Sequence, residues 1–295
     1  MGSNPFNGYG VALVTPFLDN GAVDFDSLAK LIDFQIGNKV DFICALGTTA
    51  ETPTMNDAEL QSVFEFIIRR IDGRVPVMVG CSDNCTERLV GKLRNFKYEG
   101  ADAVLSCVPA YNKPSQEGIY QHFMAVAEAS RLPVVLYNIP GRTGTNMTSE
   151  TTLRLLSASD RFIAIKEASG NLAQAQDIIK AAPEGFGVIS GDDALAFDMI
   201  QNGAAGVISV IGNAIPKTYG NLIHLVQEGK VNDAAAINDS LKDLYTLMFK
   251  EGNPCGIKAL MASRSMLQNR LRLPLVPVSD GLYNQIVTGF NGIEV

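Results

Sequence analysis

The chain has 295 residues, 46% hydrophobic and 19% charged, and its 31 acidic and 24 basic side chains leave a formal net charge of −7. That composition supports a large buried core and excludes a disordered chain. An acidic balance without a basic cluster argues against a nucleic-acid or anionic-membrane partner, and no apolar run is long enough to span a bilayer. The first residues, Met1 to Phe6, show no basic stretch followed by an apolar one, so no signal peptide is expected and the cytoplasm is the predicted location.

Eight short apolar, β-branched runs begin near Gly10, Asp41, Val75, Asp102, Pro133, Phe162, Phe186 and Ala204, spaced 18 to 34 residues apart. Most of these intervals hold one helix and two short loops, the size of a βα unit. The runs are apolar on both faces, as parallel strands buried between layers require. Between them, 27–37 carries Leu28, Leu31, Ile32 and Ile36 at helical spacing, with Asp26 as the expected N-cap. A second helix over 56–70 buries Leu60, Val63, Phe64 and Ile67. Ser115 opens a third, whose expected inner stripe is Tyr120, Phe123, Met124 and Ala127. The last interval has room only for a short helix over 194–201.

Eight such units predict a closed (β/α)8 TIM barrel over 1–216, its eighth helix running to about 229. A doubly wound open sheet is the alternative. From 217 to 295 the pattern turns all-helical, with segments at 221–228, 232–249, 255–267 and 280–288, a C-terminal helical extension. Two histidines, His122 and His224, both fall in predicted helices, which leaves no multi-histidine zinc site. Five cysteines without a C-x2-C pair read as reduced thiols, and Cys44 and Cys107 as small buried hydrophobes in strands.

Function in a parallel barrel gathers at the C-terminal ends of the strands. Of twelve lysines, only Lys166 ends an apolar strand, Phe162-Ile163-Ala164-Ile165. An amine in such surroundings is biased toward its neutral form and can attack a carbonyl. A structural lysine paired with Glu167 or Asp192 is the equally weighted alternative. Thr48, Thr49, Tyr111, Tyr137 and Arg142 also sit at strand ends; each could serve as cap, packing residue or solvated charge instead. Two aspartates after Gly191 do not suit a phosphate site, which leaves small carboxylate-bearing substrates.

Four motifs taken together, Gly47-Thr48-Thr49-Ala50-Glu51, Tyr111-Asn112-Lys113-Pro114-Ser115, Tyr137-Asn138-Ile139-Pro140-Gly141-Arg142-Thr143-Gly144 and Ile165-Lys166-Glu167-Ala168, resemble the pyruvate-dependent class I aldolase and lyase family of (β/α)8 barrels. The resemblance covers essentially the whole chain. It implies that Lys166 forms a Schiff base with pyruvate, that Tyr137 and Thr48 relay protons, and that Tyr111 reaches a neighbour's site across a dimer interface. It further implies that Thr49 meets the pyruvate carboxylate, that Arg142 holds the carboxylate of L-aspartate 4-semialdehyde, and that Gly191 and Ile208 line the pocket. No external cofactor or metal is implied beyond the covalent pyruvate imine, with a monovalent cation left open, and the implied assembly is at least a dimer and commonly a tetramer. Arg142 separates this synthase branch from a sibling such as N-acetylneuraminate lyase; a catalytically silent metabolite-binding barrel is the more distant alternative.

The chain departs from the family pattern at Ala50, where glycine is usual, and at Ala110, where a tyrosine often stands. Asn84 matches a feedback site for lysine found in regulated members, but Arg88 stands where some carry an acid, and Asp57 and Leu60 where some carry histidines. Lysine is therefore expected to inhibit weakly or not at all.

Overall fold

The computed structural model describes residues 4–291 and 293. The reading of the first residues as free of a signal peptide rests in part on Met1, Gly2 and Ser3, which lie outside them. Eight parallel strands, β1 (Gly8–Ala12), β2 (Phe42–Ala45), β3 (Val77–Gly80), β4 (Ala103–Cys107), β5 (Val134–Asn138), β6 (Phe162–Glu167), β7 (Gly187–Ser190) and β8 (Gly206–Ser209), close into a barrel in sequence order. Closure is by β1 on β8, with Gly8 opposite Gly206 and Val11 opposite Ser209. The open-sheet alternative is thereby excluded. Each strand begins within two residues of its predicted start.

The surrounding helices are α1 (Phe25–Gly37), α2 (Asp57–Ile71), α3 (Thr86–Asn95), α4 (Gln116–Ala129), the single turn α5 (Pro140–Thr143), α6 (Ser149–Ala158), α7 (Leu172–Ala181), α8 (Ala196–Gln201) and α9 (Pro216–Gln227). After them come α10 (Val231–Phe249), α11 (Cys255–Ser263) and α12 (Asp280–Phe290), the helices expected beyond the barrel. The eighth barrel helix, α9, starts at the boundary expected between barrel and extension.

Local chemistry explains most starts. Asn56 caps α2 in a capping box with Glu59, and Ser115 caps α4 by accepting from the Gly118 N–H. Two expectations are corrected. The cap of α1 is Asp24, not Asp26, because Asp24 accepts from the Ser27 N–H and the helix begins two residues earlier. The inner stripe of α4 is Ile119, His122, Phe123 and Val126 with Ala127, while Tyr120 and Met124 are only partly buried. The Tyr120 ring instead lies under the Arg154 guanidinium, at 3.7 Å, so its amphipathic body is used at the surface. Similar shifts of one position leave Leu60 and Ile36 half-buried, and put the polar Gln35 in the core, where it bonds Tyr9 and the backbone of Gly212 and Asn213.

Strand alternation divides the apolar side chains into two cores. Phe6, Phe42, Cys44, Met78, Leu105, Ile189 and their neighbours fill the barrel; Ile43, Val104, Leu136, Ile165 and Val207 face the helices. A Cβ on Gly10 would stand 2.2 Å from the Phe42 ring, so glycine there admits the phenylalanine that plugs the interior against Phe6. Emptying that plug by Phe42→Ala would cost about 3–5 kcal/mol. Cys44 is buried as expected, whereas Cys107, at the end of β4, is only partly so, and all five cysteines are free.

Candidate active site

On β6, Ala164 points into the barrel and Ile165 toward the helices, so alternation turns Lys166 inward again at the C-terminal end of the strand. Lys166 is 6% exposed. Its register partner on β5 is Tyr137, and its Nζ lies 4.6 Å from the centroid of the Tyr137 ring. A Cβ on Gly191 would stand 2.9 Å from Lys166 Cε and 2.7 Å from Ala168 Cβ. Glycine at 191 therefore leaves space for the lysine stem. Cys44, inside the barrel, feels the Lys166 charge, which opposes the upward push that burial gives its thiol.

The structural-lysine alternative finds no partner. Among the described residues Lys166 forms no ion pair. Glu167 faces the other side of the strand, where its carboxylate accepts from Asn138 Nδ2 (3.0 Å), Gln174 Nε2 (3.1 Å) and the Ser169 N–H (2.6 Å). Asp192 accepts from the Ala194 N–H at 2.9 Å. The amine stands against the Tyr137 ring with no carboxylate partner among the described residues.

Thr48 and Thr49 occupy a 3-10 turn, Thr48–Ala50, directly after β2. Thr48 shares with Tyr137 the lining of a cavity of about 560 Å3, walled on its far side by Leu60 of α2 and Phe96 beyond α3. Lys166 is not among the residues lining that cavity; it meets it through Tyr137. Thr49 is buried, and its Oγ1 accepts from Asn253 Nδ2 at 3.0 Å. Arg142, exposed on α5, donates from Nη2 to the Asn253 carbonyl at 3.1 Å. Ile208 lies in the interior cluster with Tyr137, and the chain after it is fixed by Asp193, whose carboxylate accepts from the N–H groups of Val210 (3.0 Å) and Ile211 (2.9 Å). Burial pushes the Asp193 carboxyl up, against the pull of Ser209 and those N–H groups.

Tyr111 stands apart. It is 89% exposed, its backbone is left-handed at φ +74°, and its N–H donates to the Thr143 carbonyl at 3.1 Å. A tyrosine at such a φ is strained and persists where the surroundings impose it. Among the described residues its hydroxyl makes no hydrogen bond to Thr48 or Tyr137. The structure thus brings together Lys166, Tyr137, Gly191 and Ile208, sets Thr48 and Thr49 on the rim beside them, links Arg142 to that rim through Asn253, and leaves Tyr111 in the open.

Sequence reasoning missed the residues that hold the rim. Glu51 and Lys258 form an ion pair with both side chains 0% exposed. Lys258 Nζ also donates to the Arg270 carbonyl at 2.9 Å and lies 4.4 Å from the centroid of the Phe17 ring. Burial pushes the Lys258 ammonium down in pKa, and Glu51 opposes that push. The other Glu51 oxygen accepts from the Arg272 N–H at 3.0 Å, and Arg272 is bound in turn by Glu59 at 2.7 Å. Glu51 closes the first of the four motifs, which was the available signal; nothing in the sequence pointed to Lys258 or Asn253.

Among the described residues no group of three His, Cys, Asp or Glu side chains could hold a metal ion, and no helix is long and apolar enough to cross a membrane. His122 is buried with Nδ1 2.9 Å from Thr86 Oγ1, and His224 is paired with Asp41 at 2.7 Å, beside β1 at the far end of the barrel from Lys166.

The family model described as the dihydrodipicolinate synthetase family matches residues 5–290. A 4-hydroxy-tetrahydrodipicolinate synthase of Phocaeicola vulgatus is 50% identical over 288 residues, 98% of this chain and 97% of that one. The crystal structure of dihydrodipicolinate synthase from Aquifex aeolicus superposes with a TM-score of 0.93 at 38% identity, covering 97% of each chain. The chloride-inhibited dihydrodipicolinate synthase from Acinetobacter baumannii, complexed with pyruvate, superposes with a TM-score of 0.93 at 35% identity, covering 96% of this chain and 97% of that one. The fold, the strand-end site and these likenesses agree that the chain belongs to the dihydrodipicolinate synthetase family.

Proposed function

We propose that the protein condenses pyruvate with L-aspartate 4-semialdehyde to give 4-hydroxy-tetrahydrodipicolinate, a lyase-class reaction that opens the diaminopimelate branch of lysine biosynthesis. The observation that carries the reading is Lys166: buried, inward-facing at the end of β6, against the Tyr137 ring, and free of any carboxylate among the described residues.

The chemistry follows from that amine. Lys166 Nζ attacks C2 of pyruvate, and the carbonyl oxygen leaves as water, giving an imine. The protonated imine withdraws electrons from the neighbouring methyl carbon, which loses a proton to become an enamine. The enamine carbon attacks the aldehyde carbon of the second substrate, whose oxygen takes up a proton. The amine of that substrate then attacks C2, closing the ring and releasing Lys166. One water is lost overall, and the imine itself is the electron sink, so no external cofactor enters.

Tyr137, with its ring against Lys166, serves as proton carrier, and Thr48 on the same cavity is its relay partner. Thr49 would receive the pyruvate carboxylate, and Arg142 the carboxylate of the semialdehyde by its guanidinium fork. Gly191 and Ile208 would shape the pocket wall. Tyr111 completes the relay only from a neighbouring copy; its 89% exposure fits a residue covered by a partner subunit. The same reading makes the protein at least a dimer, and Leu273 and Val276, exposed on the C-terminal segment, suit the second contact of a tetramer. A cytoplasmic location fits the chemistry. Arg142 in the loop after β5, and relatives that carry the synthase name, favour this reaction over that of a sibling 2-oxo-acid lyase.

Borohydride reduction in the presence of pyruvate, followed by peptide mass mapping, tests the reading. A reduced pyruvate adduct on Lys166 is expected, with no adduct and a rate lower by at least about 10^4-fold in Lys166→Ala. A folded protein that traps no pyruvate would overturn the enzyme reading. A trapped adduct with turnover of N-acetylneuraminate but not of the semialdehyde would shift it to the sibling reaction.

A further inference from the structure

Asn253, two residues before α11 in the C-terminal extension, is the residue that joins the two proposed carboxylate contacts of the site. Its side-chain Nδ2 donates to Thr49 Oγ1 at 3.0 Å, and its backbone carbonyl accepts from Arg142 Nη2 at 3.1 Å. Thr49 is 204 residues away in sequence and Arg142 is 111. Asn253 is 6% exposed, and its Oδ1 is buried without a partner. A buried unpaired amide oxygen is costly, so the side chain is held by its other bond and by its place in the chain. Five residues on, the Lys258–Glu51 pair fixes that place from the same loop that carries Thr49.

The direction of the Asn253–Thr49 bond has a chemical consequence. A hydroxyl has one hydrogen and two acceptor lone pairs. Because the amide N–H donates, it occupies an acceptor site of the hydroxyl, and the Thr49 hydrogen is left to donate elsewhere. A threonine meant to receive a substrate carboxylate needs that free hydrogen.

We propose that Asn253 is a positioning residue for the first substrate's carboxylate: it acts through Thr49 by polarising and orienting its hydroxyl, while its backbone carbonyl independently steadies Arg142 for the second carboxylate. The inference rests on the pyruvate reading above. It separates the two substrates, because a change of the side chain touches only the Thr49 link.

Steady-state kinetics on the full-length enzyme test it, with pyruvate and aspartate semialdehyde varied separately. Asn253→Ala is expected to raise the pyruvate KM by about three- to tenfold and to leave the semialdehyde KM within about twofold, since the carbonyl to Arg142 remains. Asn253→Asp keeps the shape but replaces the donor with a carboxylate that accepts the hydrogen bond of the Thr49 hydroxyl; it should raise the pyruvate KM further, by at least about tenfold. In a Thr49→Val background neither substitution should change the pyruvate KM again, the coupling that a double-mutant cycle reads. Equal rises in both KM values, or effects that simply add to those of Thr49→Val, would mean that Asn253 only supports the fold and would overturn the inference. Asn253→Asp serves where Asn253→Ala melts below the assay temperature. If wild-type enzyme traps no pyruvate, it is the functional reading that fails; if it does and Asn253→Ala and Asn253→Asp bind pyruvate normally, it is this inference alone.

Discussion

The loop after β2 and the loops after β4 and β5 stand at the same end of the barrel and are held in opposite ways. After β2, Thr49 and Glu51 are buried, and the turn is tied to the C-terminal segment by the Lys258 ion pair, the Arg272 N–H and the Asn253 amide. After β4 and β5, Tyr111, Asn112, Lys113 and Arg142 are exposed, and Tyr111 and Lys113 carry left-handed backbone. The covered loop is complete within one chain. The open loops are steadied mainly by backbone bonds, such as Tyr111 N–H to Thr143 carbonyl, and their side chains face outward. The buried ion pair of the covered loop should therefore answer in stability, the exposed side chains of the open loops in affinity.

The largest departure is expected at the covered loop. Lys258→Met leaves the Glu51 carboxylate buried without its counter-charge, which should cost about 3–5 kcal/mol in denaturant unfolding. A loss below about 1 kcal/mol would mean that the loop does not depend on the extension.

On the open side His122 is buried on α4, the helix that follows the Tyr111 loop. Burial pushes its imidazole down to about 4, from 6.5. Between those values the unfolded chain takes up a proton that the folded chain refuses. The stability it contributes is complete above about pH 6.5 and is lost as pH falls to about 4, by about 3 kcal/mol. His122→Asn should flatten that part of the stability profile; an unchanged profile would show that the ring titrates normally in the fold.

Arg142→Lys sharpens the contrast. It keeps the charge but loses the planar fork, so the semialdehyde KM should rise about tenfold while the melting temperature stays put. A melting temperature lowered along with it would place Arg142 among the structural residues.

The smallest effect is expected from L-lysine itself. Arg88 is bound to Asp83 at 2.8 Å and occupies Asn84 Oδ1 at 2.9 Å. Burial pushes the Asp83 carboxyl up, but its bonds from Arg88 and Lys92 outweigh that and hold it at about 2. Where a regulated relative would offer an acid to an ammonium, this chain offers a guanidinium already paired. A rate unchanged by sub-millimolar lysine fits; inhibition in that range would refute it.

The same division governs what could be read from the sequence. Strand starts were legible because apolar runs with β-branched residues have few other uses, and Lys166 because it breaks such a run. Helix faces were legible to within a position, since a single polar exception such as Gln35 moves the stripe, and its reason, the Tyr9 hydroxyl and the Gly212 carbonyl, lies elsewhere in the chain. Glu51 could be seen but not explained, because its partner is 207 residues away. Asn253 carried no signal at all: one asparagine before a proline reads as a turn. Local patterns encode the barrel, whereas the rim is built from contacts that no local pattern records.

The Glu51–Lys258 pair also has a consequence in time. During synthesis the eight strands, complete by Ser209, leave the ribosome well before residue 258. Until then a carboxylate destined for a dry interior has no counter-ion, and Thr49 lacks the Asn253 amide that bonds it. A nascent or prematurely ended chain can contain all eight strands and still lack the contacts that hold the loop after β2. The segment made after the barrel acts as the keystone, so exchanging it between relatives should succeed only when the loop after β2 is exchanged with it.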